Sequence, residues 1–165
     1  MEVINSITKS RLILETLRSE LAKIAIYDNY NFDVNERFVT LDIEKYTRLA
    51  ESEKDPILLI LPRSTRLYPM SNCQYYTGQT NTPDGWMIDI FAHIHGKTDV
   101  DNDSSIILRV EDLLDDLIKR VLSMGTMGLA NVLEIYLDSK QSHFDWTKNT
   151  GEGILTIKVL NVFSN

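Results

Sequence analysis

The chain has 165 residues, a length that suits one domain spanning 1–165 around a single core. With 43% hydrophobic and 25% charged residues it falls among ordinary globular proteins rather than disordered ones. A formal charge of −7 argues against a surface built to wrap nucleic-acid phosphates, and the single cysteine, Cys73, excludes both an intramolecular disulfide and a cysteine-rich zinc site.

The first predicted element is a helix over 4–26. Ile7, Leu14, Leu17, Leu21 and Ile24 form one apolar stripe at helical spacing, and the helix gives way at the poor helix formers Tyr27–Asn31. Its charges interrupt any signal-peptide core, and no window approaches the roughly 18 apolar residues of a membrane span. Synthesis in the cytoplasm without a membrane association is the expectation. Residues 37–43 alternate Val39, Leu41 and Ile43 against Phe38, Thr40 and Asp42, which predicts a half-buried strand. Residues 44–54 are charged and read as a short exposed helix or loop. Ile57–Leu61, bracketed by Pro56 and Pro62, reads as a strand buried on both faces.

Residues 63–85 carry turn formers and the surface-type aromatics Tyr68, Tyr75 and Tyr76, and read as a long loop or loose hairpin. The strand 86–95 places Ile88, Ile90, Ala92 and Ile94 on one face and Met87, Asp89, Phe91, His93 and His95 on the other. After a polar connection, Ser104 or Ser105 caps a helix over 106–122. Its apolar stripe is Ile107, Val110, Leu114, Leu117, Ile118 and Val121, and Asp112, Asp115 and Asp116 read as a solvated face. A strand over 131–138, a polar loop over 139–153 carrying Trp146, and a strand over 154–163 complete the chain. This order predicts an α+β fold, a mostly antiparallel sheet flanked by two helices.

Two motifs suggest chemistry. His93 and His95 could share a metal with Asp89, since alternate strand residues point the same way, but a catalytic zinc normally takes three protein ligands. The only other histidine is His143 in a distant loop. The row is read as the solvent-facing or partner-facing side of an amphipathic strand, with a small metal-dependent hydrolase using His93 and His95 as the rival. Asp99, Asp101 and Asp103 match the opening of a calcium loop. Ser104 stands where the turn needs glycine, and Val110 where a bidentate glutamate belongs, with Glu111 one residue late. The run is read as acidic residues near a helix N-terminus. No GxSxG, P-loop or GxGxxG occurs, and nothing local supports Cys73 as a nucleophile. No catalytic residue, metal or cofactor is assigned, and the chain is read as no enzyme.

In order and pattern the chain resembles the tail terminator family of long-tailed bacteriophages. The carrying stretches are ITKSRLILETLRSELAKI, DPILLILP, WMIDIFAHIHG, SIILRVEDLLDDLIKRVLS and GILTIKVLNVFSN, which together cover nearly the whole sequence. The resemblance implies a structural virion protein at the head-proximal end of the tail. Such proteins form a ring, usually of six copies, that caps the tail tube, ends its polymerisation and offers a docking surface to the head. The implied partners are further copies of the chain, the tail tube protein and a head-completion or connector protein. DNA would pass through the lumen without specific binding, which the acidic balance favours. A head-completion or connector role is the neighbouring alternative, and a soluble binding module using its tyrosine-bearing loop is a third. A ring of identical chains joins two different patches on each subunit. Tyr68, Tyr75, Tyr76, Phe91, His93, His95 and Trp146 are the candidate interface residues, because aromatic side chains are favoured at interface cores. Loops 63–85 and 139–153 are the candidate contacts to tube or head proteins.

Overall fold

The computed structural model describes residues 2–63, 84–96, 105–130 and 132–161. Helix α1 (Glu2–Leu21) leads through two short 3-10 turns (Ile26–Asp28 and Glu36–Phe38) to strand β1 (Val39–Thr40). Helix α2 (Ile43–Ser52), strands β2 (Ile57–Pro62) and β3 (Asp84–His95), helix α3 (Ile106–Met124) and strands β4 (Val132–Asp145) and β5 (Thr150–Asn161) follow. The strands form one sheet in the order β1-β2-β3-β5-β4. Among the described residues only β1 and β2 run parallel; the other pairs are antiparallel. The fold is α+β, as the order of elements predicts.

The main core lies between one face of the sheet and the two long helices. Leu58 and Ile60 of β2, Ile88, Ile90, Ala92 and Ile94 of β3, and Leu155, Ile157 and Val159 of β5 meet Ile13, Leu17 and Leu21 of α1 and Val110, Leu113, Leu114, Leu117 and Val121 of α3. Strand β2 is buried on both faces over Ile57–Ile60, as its unbroken apolar run predicts. Helix α3 sits unusually close to β5. A Cβ on Gly153 would lie 2.7 Å from Leu114 Cγ and Cδ2, and one on Gly151 would collide with Val110. Only a strand without side chains at these two inward positions admits the helix at that height.

Several elements differ from their sequence reading. Helix α1 ends at Leu21, and Ile24 reaches the core from the turn beyond it. Ile13 also belongs to its buried face, while the side chain of Ile7 lies outside the described residues. Of the strand expected over 37–43 only Val39 and Thr40 pair. Asp42 caps a helix instead: its Oδ1 accepts from Glu44 N at 2.9 Å, so Ile43 turns into α2 and both Leu41 and Ile43 are exposed. The stretch read as exposed is therefore an amphipathic helix that buries Tyr46. Helix α3 is capped by Ser105, whose Oγ accepts from Leu108 N. Its inner face uses Ile106 and Leu113 rather than Ile107, which is exposed.

Asp116 is no part of a solvated face. It is 2% exposed and accepts hydrogen bonds from Asn31 N, Asn31 Nδ2 and Phe32 N, each at 2.9 Å. Lys119 Nζ donates to Asn29 O at 2.7 Å and lies over the Tyr30 ring, and Arg109 lies over Phe32. The segment 25–34 is thus fixed along the α1 side of α3. Finally, 139–153 is not a loop. Strand β4 runs through it to Asp145, a tight turn reverses the chain, and β5 begins at Thr150.

Candidate functional site

The face of the sheet away from α1 and α3 carries Met87, Asp89, Phe91, His93 and His95 of β3, with Glu152, Ile154, Thr156 and Lys158 of β5 beside them. Helix α2 lies over part of this face, and with Phe38, Ile57 and Leu59 it forms a second, smaller core around Tyr46. The Tyr46 ring stands edge-on to both Phe91 and His93, with centroids 6.5 Å away in each case. Its hydroxyl donates to Glu152 Oε2 at 2.5 Å. Burial and the Glu152 carboxylate push the phenol's pKa far up, so it remains a donor at all ordinary pH.

The two histidines touch, their centroids 5.1 Å apart. His95 Nε2 lies 2.9 Å from Ala50 O, which requires that nitrogen to carry its proton, since a carbonyl only accepts. His93 Nδ1 is buried with no hydrogen-bond partner among the described residues. Burial, and secondarily the neighbouring His95, lower the His93 pKa to about 4. The row expected to face solvent or a partner is instead partly covered by the chain's own α2. His95 Nε2 and Glu152 Oε2 are both engaged, and among the described residues no three histidine, cysteine or acidic side chains gather closely enough to hold a metal ion. Asp89, the suggested third ligand, is held by Thr156 Oγ1 at 2.6 Å and by Arg63 Nε and Nη2 at 3.0 and 3.2 Å.

The remaining candidates separate. Tyr68, Tyr75, Tyr76, Cys73 and the aspartates 99, 101 and 103 lie outside the described residues. Trp146 is 66% exposed at the β4–β5 turn, its ring stacked on Phe144 with centroids 5.6 Å apart. His143 is exposed on β4, opposite Glu152. Tyr46 and Glu152 were not singled out by sequence. Glu152 carried one readable signal: it alternates out of phase with Gly151 and Gly153, so a strand through 150–155 must place it on the opposite face.

Among the described residues, exposed large apolar side chains also include Leu12 of α1, Leu41 and Ile43 around the start of α2, and Ile107 and Leu108 at the start of α3, and two further groups flank α3. On the α1 side of α3, the fixed segment 25–34 presents Ile26 and Tyr27, the latter 95% exposed. On the β4 side, where Lys140 of β4 pairs with Glu111 of α3 at 2.9 Å, Leu122 of α3 is 66% exposed, and Leu133 and Leu137 of β4 are also open. Among the described residues β4 is an edge strand. Comparison with protein-family models finds no match to this chain, and comparison with curated proteins finds none either.

Proposed function

We propose that the chain is a structural ring subunit of a long-tailed phage, one that caps the tail tube, ends its growth and receives the head. The observation that carries this reading is the presence of two dissimilar apolar surfaces on different sides of α3, one at Ile26–Tyr27 and one at Leu122, Leu133 and Leu137. Two unlike patches on one subunit suit a heterologous contact, which closes into a ring when the rotation allows. A two-fold dimer would need a single self-complementary patch instead. Support also comes from the order of elements, an early amphipathic helix, a later one and two closing strands, which resembles the tail terminator pattern.

The ring's partners in this reading are the tail tube protein on one side and a head-completion or connector protein on the other. DNA would pass through without specific binding, since a net charge of −7 repels it. The test is the solution mass of purified protein across a concentration series, with and without assembled tail tubes, together with electron micrographs. Rings, alone or at tube ends, are expected. A strict monomer that ignores tube ends would overturn the reading, and binding to a portal complex instead would assign the head-completion role.

A further inference from the structure

We propose that α2 is an acid-releasable flap, held over β3 by the packing of an uncharged His93 and freed when that imidazole takes a second proton. The proposal does not depend on the ring reading.

Helix α2 belongs to no part of the main core. It is attached through the small cluster of Phe38, Tyr46, Ile57 and Leu59, against which its Leu49 also packs, and, among the described residues, through two polar contacts, Tyr46 to Glu152 and His95 to the Ala50 carbonyl. Segments with few buried apolar contacts open at lower cost than the rest of a fold. Its ends offer hinges: Leu41–Asp42 before it, and 53–55 after it.

His93 sits beneath this helix. The titratable groups facing it are Tyr46 of α2, His95 of its own strand, and Glu152 directly across on β5; β2 brings only Ile57. In the neutral ring, Nδ1 is at worst an unpaired acceptor. The protonated ring carries N–H on both nitrogens, so Nδ1–H would be a buried donor with no acceptor, beside a second histidine. Glu152, the carboxylate across the strand pair, already accepts from the Tyr46 hydroxyl. Lifting α2 hydrates the new charge. The sign follows: His93 is harder to protonate with α2 down than with α2 up, so closure is complete above the free-histidine range and weakens as pH falls toward about 4. One proton taken up on opening sets the limit, a tenfold rise in the opening constant per pH unit.

Amide hydrogen exchange of the full chain, corrected for intrinsic rates, reads this directly. Between pH 6.5 and 4.5 the opening constant for 43–52 is expected to rise as much as tenfold per unit, while 106–124 stays protected. His93→Phe, which fills the site without titrating, should remove the slope. Tyr46→Phe should raise opening at every pH with the slope intact, so it serves if His93→Phe fails to fold. A flat profile for 43–52 in the wild type, one that follows 106–124, or a slope that survives His93→Phe would overturn the proposal. A flat profile would also mean that Glu152 keeps the imidazolium in place.

Discussion

Asp116 spends a buried carboxylate on a single task, receiving the donors of Asn31 and Phe32. Burial raises its pKa, although those donors and Lys119 act to lower it. Asp116→Asn would turn an amide nitrogen toward donors that need an acceptor. The expected loss is about 1–3 kcal/mol of unfolding free energy by chemical denaturation. An unchanged midpoint would mean that segment 25–34 is held by other contacts. Nothing in the local pattern of VEDLLDDL marks Asp116 as buried. Its partner loop lies 85 residues away in sequence, so its burial is a tertiary fact that periodicity does not encode. The same holds for His93, whose row was legible as one face of β3 but whose cover comes from α2, more than 40 residues earlier.

At the scale of elements, sequence alternation succeeded where one face of a strand is apolar and failed where neither is. Strands β2 and β3 stand out because Ile57–Ile60 and the alternate residues Ile88, Ile90, Ala92 and Ile94 are buried. The second half of β4, DSKQSHFD, is a largely exposed edge, and polar residues on both faces imitate a loop. Residues 37–43 alternate well, yet the Asp42 cap wins the last of them for α2. Two substitutions probe how elements are joined. Gly153→Ala places a methyl group against Leu114, and should destabilise the α3–β5 contact by about 1–3 kcal/mol, read as a lowered thermal midpoint. An unaffected midpoint would show that α3 can lift without cost. Tyr46→Phe removes the bond to Glu152 and should weaken α2 by about 1 kcal/mol, seen as faster exchange in 43–52 and not in 106–124.

For the whole molecule, the predictions concern association. Copies carrying −7 each repel, so a ring should form more readily as salt rises. Sedimentation at low and high ionic strength measures this, and weaker association at high salt would point to a charge-driven contact instead. Leu122→Glu adds a charge to one of the two proposed patches without touching the core, since Leu122 is exposed. It should abolish rings while leaving the circular dichroism spectrum and unfolding midpoint close to wild type. Rings that persist would remove Leu122 from the contact. The fold class was readable in the order of elements; these patches were not, because the exposure of Ile26, Tyr27 and Leu122 depends on how segment 25–34 and β4 pack beside α3, which local pattern does not encode.

The strand order carries one more consequence, for synthesis. Strand β5 lies between β3 and β4, both of which precede it in the chain. As the protein emerges from the ribosome, β3 can pair only with β2, and its other edge stays bare while some fifty further residues are made. That edge belongs to the isoleucine-rich strand at the centre of the sheet, the kind of surface that recruits other nascent chains. The sheet closes in a single late step, when β5 arrives and completes both of its neighbours at once.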